Sequence, residues 1–300
     1  MEFIRLASGV KLSAIGYGPD SLSCMAKYKQ DGKTINKVRN KIRKELIEKP
    51  QYIKVVSETV KMGCNLIDFS ASYGDGSYIA EGIRKSGVQR EKVVYTTRVS
   101  NRAQYGNYIE KEFYGQLEGF KTDYMDILMF HWPVTDHFEE TWMKMIELKE
   151  KGLCKSLGVA NCNIHHLKKL YEISGIYPEI NQVEIHPLFT QVELRKFCKE
   201  NNIQVEAYSP TARHDDRLVN PPLLKELSKK YNKSITQIIL RWHFQNGIIP
   251  IIRSMNVEHM YANLNIFDFV IEDIDMKKID GININARIRY DPDNCDFTAL

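Results

Sequence analysis

No stretch of this chain approaches the roughly 18 consecutive apolar residues of a membrane-spanning helix. The amino terminus, Met-Glu-Phe-Ile-Arg, has neither an apolar run nor a cleavage-site pattern. Cysteine is sparse: Cys24, Cys64, Cys154, Cys162, Cys198 and Cys295 are scattered without a Cys-x-x-Cys pair, which excludes a zinc framework and a disulfide scaffold. A reduced, cytoplasmic protein is expected. An excess of charge of one sign is missing too. The 42 basic and 38 acidic residues leave a net +4, which alone argues neither for nor against nucleic acid; neither a nucleic-acid nor a membrane partner is expected. The glycine-rich dinucleotide fingerprint is lacking, because Gly16-Tyr17-Gly18 runs into Pro19 with no third glycine in register. His165-His166 has no third ligand at metal spacing, so no metal site is expected. Neither an internal repeat nor a low-complexity tract is present.

What is present is alternation. With 300 residues and 43% hydrophobic content, the chain can bury one large core, and a single domain over 1–300 is expected. Phe3 to Ser13 reads as a hairpin around Ser8-Gly9 that could plug one end of a barrel. Eight apolar strand segments then alternate with helical ones, near Leu12–Gly18, Asn65–Ser70, Val93–Val99, Tyr124–His131, Lys155–Asn161, Ile180–His186, Ile203–Tyr208 and Ile248–Arg253. Near-continuous apolar strands suit a parallel sheet covered on both faces. The pattern predicts an α/β fold, a (β/α)8 TIM barrel of about the usual length. Pro50 can open the first barrel helix and Gly63 can stop it. Residues 21–49 form an insertion after the first strand. Within it Lys33 to Lys49 is helix-like, with Ile35, Val38, Ile42 and Leu46 at helical spacing. It reads as an extra surface helix with a solvated basic face, the other reading being a lid that attracts an anion.

Four polar residues fall at the tips of three consecutive strands, where a barrel of this kind carries its active site. Asp68 closes Leu66-Ile67-Asp68, and Tyr73 follows in the next loop. Arg98 closes Val93 to Thr97, and His131 closes Tyr124 to Phe130. An acid, a phenol, a cation and an imidazole together can deliver a proton. Free tyrosine has a pKa near 10, and a neighbouring cation held by Asp68 lowers it. At an effective dielectric of 20, a charge 4 Å away contributes about 4 kcal/mol. As a charge, Arg98 suffices; as a planar fork suited to Asp68, it is less able than a compact ammonium to turn toward the phenol.

Several segments are similar to the aldo-keto reductases across nearly the whole chain. They are Leu66 to Gly74 (Leu-Ile-Asp-Phe-Ser-Ala-Ser-Tyr-Gly), Phe130-His131-Trp132-Pro133, Leu157 to Asn161, Asn181 to Pro187, Ala207-Tyr208-Ser209-Pro210, and the tail Arg289 to Phe297, which looks like the short ending of bacterial members. The resemblance implies NADPH-dependent reduction of an aldehyde or ketone, a small carbonyl compound being the partner. Tyr73 would be the acid, His131 would orient the carbonyl, and Asp68 and Arg98 would tune Tyr73. Asn161 and Gln182 would bond the nicotinamide carboxamide, and Tyr208, next to Ser209, would stack on its ring. Arg253 and Ser254 would meet the 2′-phosphate and Asn263 the adenine, with backbone donors from a helix starting near Asn256.

The chain departs from the family's pattern at several ligand positions. Arg98 stands for lysine, Ala160 for serine and His259 for a second arginine. Pro19-Asp20 stands where threonine and an aromatic are common, and Thr211-Ala212 where Leu-Gly is common. Arg98, Ala160 and the basic insertion motivate the alternative, a nicotinamide-nucleotide-binding barrel weakened in catalysis and acting as a redox-responsive partner. A phosphate-binding isomerase barrel lacks a suitably placed glutamate base and a glycine-rich loop after the seventh strand.

Overall fold

The computed structural model describes residues 1–19, 34–73 and 76–299; Asp20, Cys24, Gly74 and the 21–33 part of the insertion lie outside them. An antiparallel hairpin comes first, β1 (Phe3–Arg5) and β2 (Lys11–Ser13), with Phe3 opposite Ser13 and Arg5 opposite Lys11. Eight parallel strands follow and close on themselves: β3 (Gly16–Tyr17), β4 (Leu66–Asp68), β5 (Val94–Val99), β6 (Met125–Phe130), β7 (Cys154–Ala160), β8 (Ile180–Glu184), β9 (Gln204–Tyr208) and β10 (Ile249–Ile252), with β10 pairing back onto β3. This is the expected (β/α)8 barrel.

The hairpin is its plug. Leu6, Val10 and Leu12 pack in one buried cluster with the inward-facing Leu66, Val94, Ile127, Met129, Ile180, Ile249 and Ile251, so the end away from the strand tips is filled with hydrocarbon. The second face of each strand joins a larger cluster under the helices, including Tyr95, Phe130, Val159 and Trp242. Strands buried on both faces are therefore nearly all apolar. The strands close tightly at Gly16, where a Cβ would lie 2.4 Å from Ile251 Cδ1 and 2.9 Å from Leu66 Cδ2.

Two boundaries differ from expectation. The first barrel strand, expected over Leu12–Gly18, is only Gly16–Tyr17, because Lys11–Ser13 pairs in the hairpin. Ser13 makes the break: its hydroxyl donates to Ile15 O (2.7 Å) and accepts from the amides of Asn65 and Leu66 (3.2 Å each). The inserted helix Thr34–Arg43 runs through a wide turn, Lys44–Glu48, into the first barrel helix, Lys49–Lys61. Pro50 has no N–H to give, and a wide turn just before it absorbs the missing i to i−4 bond. Gly63 ends the run at φ +91°. The helix Thr34–Arg43 buries no residue, and Ile35, Val38 and Ile42 are exposed along it. No helix among the described residues is long and apolar enough to cross a membrane.

Candidate active site

The C-terminal ends of the strands surround a cavity of about 850 Å³. Its wall includes Asp68, Tyr73, Arg98, His131, Asn161, Gln182, Tyr208, Ser209, Arg253 and Asn263. Ser254 stands beside Arg253, with its carbonyl accepting from Tyr17 Oη at 3.1 Å. Ten of the eleven residues singled out in the sequence thus face one space, and the eleventh is adjacent.

Arg98 is the hub, and it is buried. Its Nη1 donates to Phe69 O (2.8 Å); its Nη2 donates to Asp68 Oδ1 and to Gln182 Oε1 (2.7 Å). Burial opposes its charge, but the Asp68 carboxylate beside it and the ionisable Tyr73 outweigh that and raise its pKa. Tyr73 ends a tight turn, Ala71–Tyr73, tied by its own N–H to Ser70 O (2.8 Å). The phenol ring meets Phe69 edge-on at 5.7 Å and His131 at 6.1 Å.

His131 follows β6, its N–H bonded to Val99 O (3.0 Å). Burial, with Arg98 and Arg289 nearby, pulls its pKa down to about 3, so the imidazole is neutral. Its ring faces Ser70. That hydroxyl accepts from Ser72 N (3.3 Å) and lies 3.4 Å from His131 Nδ1. With the hydroxyl hydrogen pointing at Nδ1, the ring hydrogen sits on Nε2.

The amides divide differently. Asn161, in a left-handed conformation (φ +61°), donates through Nδ2 to His131 O (2.9 Å) and accepts at Oδ1 from Tyr208 Oη (2.8 Å). One N–H and one lone pair remain for a ligand. Gln182 Nε2 donates to Asp68 Oδ1 (3.1 Å) and Glu206 Oε2 (2.8 Å), while its Oε1 accepts from Arg98. Both of its N–H groups are committed inward, so Gln182 offers a ligand acceptance only.

Glu206 is the group that sequence reasoning missed. It is wholly buried, and its Oε1 has no hydrogen-bond partner. Burial first, and the Asp68 charge second, push its pKa up to about 8, so it carries a proton at neutral pH. The signal was available: Gln204, Glu206 and Tyr208 alternate along β9, and residues two apart in a strand share a face. Arg213, Arg289 and Tyr290 also line the cavity and were not singled out.

At the far end, Arg253 is exposed just past β10. The helix Val257–Leu264 has less to offer an anion than expected, because Asn256 Oδ1 already accepts from Glu258 N (2.7 Å) and His259 N (3.3 Å). The expectation that His165-His166 lacks a third ligand also needs correction. Asp293 Oδ1 lies 3.3 Å from His165 Nε2 and 3.8 Å from His166 Nε2. Even so, the Asn163 amide donates to His166 Nδ1 (3.1 Å), which puts the hydrogen of the neutral ring on Nε2. The His166 atom facing Asp293 therefore has no lone pair for a metal. Cys162 is buried, and burial raises its pKa well above the usual thiol range, as for an inert core cysteine.

Residues 38–284 match the model of the Aldo/keto reductase family. The chain is 37% identical over 242 residues to the glyoxal reductase of Bacillus subtilis, covering 81% of this chain and 87% of that protein. The aldo/keto reductase from Brucella melitensis superposes with a TM-score of 0.81 at 33% identity, over 94% of this chain and all of the other. A Bombyx mori aldo-keto reductase in complex with NADP gives a TM-score of 0.81 at 27% identity, over 97% and 96%. The chain belongs to the aldo/keto reductase family of oxidoreductases.

Proposed function

We propose that the protein reduces a small aldehyde or ketone with NADPH, Tyr73 serving as the general acid. The observation that carries this reading is the juxtaposition of the Asp68–Arg98 pair, the Tyr73 phenol and a neutral His131 around one cavity. The dihydronicotinamide, when bound, supplies hydride to the carbonyl carbon. Its carboxamide fits Asn161, which has one donor and one acceptor left, and Gln182, which can accept; Tyr208 offers its ring as a platform. Arg253 and Ser254 suit the 2′-phosphate, since a guanidinium binds phosphate bidentately, and Asn263 suits the adenine. The bound NADP of the Bombyx mori relative and the named substrate of the glyoxal reductase support both halves of the reading.

His131 Nε2–H donates to the carbonyl oxygen and fixes it near Tyr73. As negative charge grows on that oxygen, Tyr73 gives up its proton, and Arg98 stabilises the phenolate left behind. Asp68 holds Arg98, and Gln182 ties both to Glu206.

The test is NADPH oxidation with glyoxal and methylglyoxal by the protein and by Tyr73→Phe. Loss of a positioned acid removes about 10²–10⁴ in rate, so the variant should fall at least a hundredfold. Equal rates would refute the role of Tyr73. Nucleotide binding without turnover on any carbonyl would favour the non-catalytic barrel. Titration with NADPH and NADH decides the cofactor, and tighter NADH binding would refute the preference.

A further inference from the structure

Among the described residues, Arg98, Arg213, Arg253 and Arg289 line the cavity, and Asp68 on the same wall is held by Arg98. In the reading above, Arg253 faces the adenosine end, and Arg213 lies in the turn after β9 that follows Ser209.

Arg289 enters from another direction. Its backbone is gripped by Glu184, whose carboxylate accepts from Ile288 N (2.7 Å) and Arg289 N (2.9 Å). The next residue, Tyr290, meets Trp132 edge-on at 6.5 Å, and Trp132 directly follows His131. The Arg289 guanidinium lies 5.3 Å from the centre of the Tyr290 ring and forms no ion pair among the described residues. It lines the same cavity as His131 and Tyr208.

We propose that Arg289 determines substrate specificity, selecting carbonyl compounds that carry a carboxylate near the reacting carbon, such as short oxo acids, over neutral aldehydes. The inference rests on the reductase reading of the same cavity. A guanidinium fork matches a carboxylate through two parallel N–H···O bonds, and packing against an aromatic face limits the freedom such a fork would lose on binding. Arg98 does not compete for the anion, because its Nη2 is spent on Asp68 and Gln182 and its Nη1 bonds Phe69 O. The hydroxy acid formed keeps the carboxylate, so the ion pair serves substrate and product alike.

The experiment compares kcat/KM for succinic semialdehyde and for butanal, which share a four-carbon skeleton, in the wild type, Arg289→Met and Arg289→Lys. The wild type should favour the acid. In Arg289→Met the acid-to-neutral ratio should fall about 10–100-fold, the usual effect of losing a charged hydrogen bond, with Arg289→Lys between them. A wild type that prefers butanal, or a ratio unmoved in Arg289→Met, overturns the proposal. Calorimetry with butyrate on NADP-saturated protein tests Arg289 without turnover. At least tenfold weaker binding in Arg289→Met supports it; equal binding, or none to the wild type, overturns it. If no carbonyl is reduced at all, the reductase reading fails on kinetics while calorimetry still decides Arg289. Stronger competition by inorganic phosphate than by butyrate would replace the carboxylate with a phosphoryl group, and so also overturn the proposal as stated.

Discussion

Replacing Arg98 by lysine separates the two things the guanidinium does. It holds a buried network through bonds to Phe69 O, Asp68 Oδ1 and Gln182 Oε1, and it supplies charge beside Tyr73. A lysine ammonium is one nitrogen with three donors, so it can keep Asp68 and turn another hydrogen toward the phenol, but it cannot also span Phe69 O and Gln182 Oε1. Losing one bond to a charged donor costs about 1.5–3 kcal/mol, which for a chain of this size lowers Tm by roughly 2–5 °C. The gain appears in chemistry. A tenfold rise in kcat needs only about 1.4 kcal/mol from a better-aligned donor to the phenolate. Arg98→Lys should therefore be less stable and at least tenfold faster, measured as kcat at saturating NADPH and carbonyl beside a thermal melt. An unchanged or lower kcat in a folded variant would refute the reasoning, and would mean that the fork already serves Tyr73 as well as an ammonium does.

Three further outcomes follow from titration and anchoring. Glu206 has a raised pKa, so its stabilising contribution is complete below the unfolded value of about 4.3 and is lost as pH rises through about 8. Glu206→Gln should thus gain stability relative to the wild type as pH rises from 5.5 to 8.5, and parallel denaturation curves would count against a protonated Glu206. His131 stays neutral down to about 3, so kcat should show no acid limb from this residue between pH 7 and 5; a limb abolished by His131→Gln would contradict that assignment. Burial opposes the charge of Glu184, but bonds from His186 and the amides of Ile288 and Arg289 outweigh it and lower its pKa. Glu184→Gln should weaken the tail's grip by about 1.5–3 kcal/mol, read as faster proteolysis between residues 283 and 299 and a higher KM.

The site was legible wherever a polar residue ended an apolar run. Asp68, Arg98 and His131 were found because strand tips in a barrel converge, a rule that needs only strand order. Gln182 was found too, but its use was not. The resemblance aims its amide at a ligand, whereas both N–H groups turn to Asp68, on a strand across the barrel, and to Glu206, on the neighbouring strand, contacts invisible to spacing. Arg289 was read as part of a tail and no more, since what places it in the cavity is a carboxylate more than a hundred residues earlier. The boundary error at Ser13 has a local cause. Its hydroxyl satisfies three backbone groups at once, and that ends one sheet and starts another without any proline or glycine to announce it.

The way Glu184 holds the tail separates two demands that usually compete. Both of its tail contacts are to main-chain amides, of Ile288 and Arg289, and neither depends on which side chains those residues carry. The clasp therefore reads position and ignores identity. The side chain at 289 can be exchanged while the main chain that carries it stays docked on Glu184, so this barrel can change what it admits without reopening the question of how it folds.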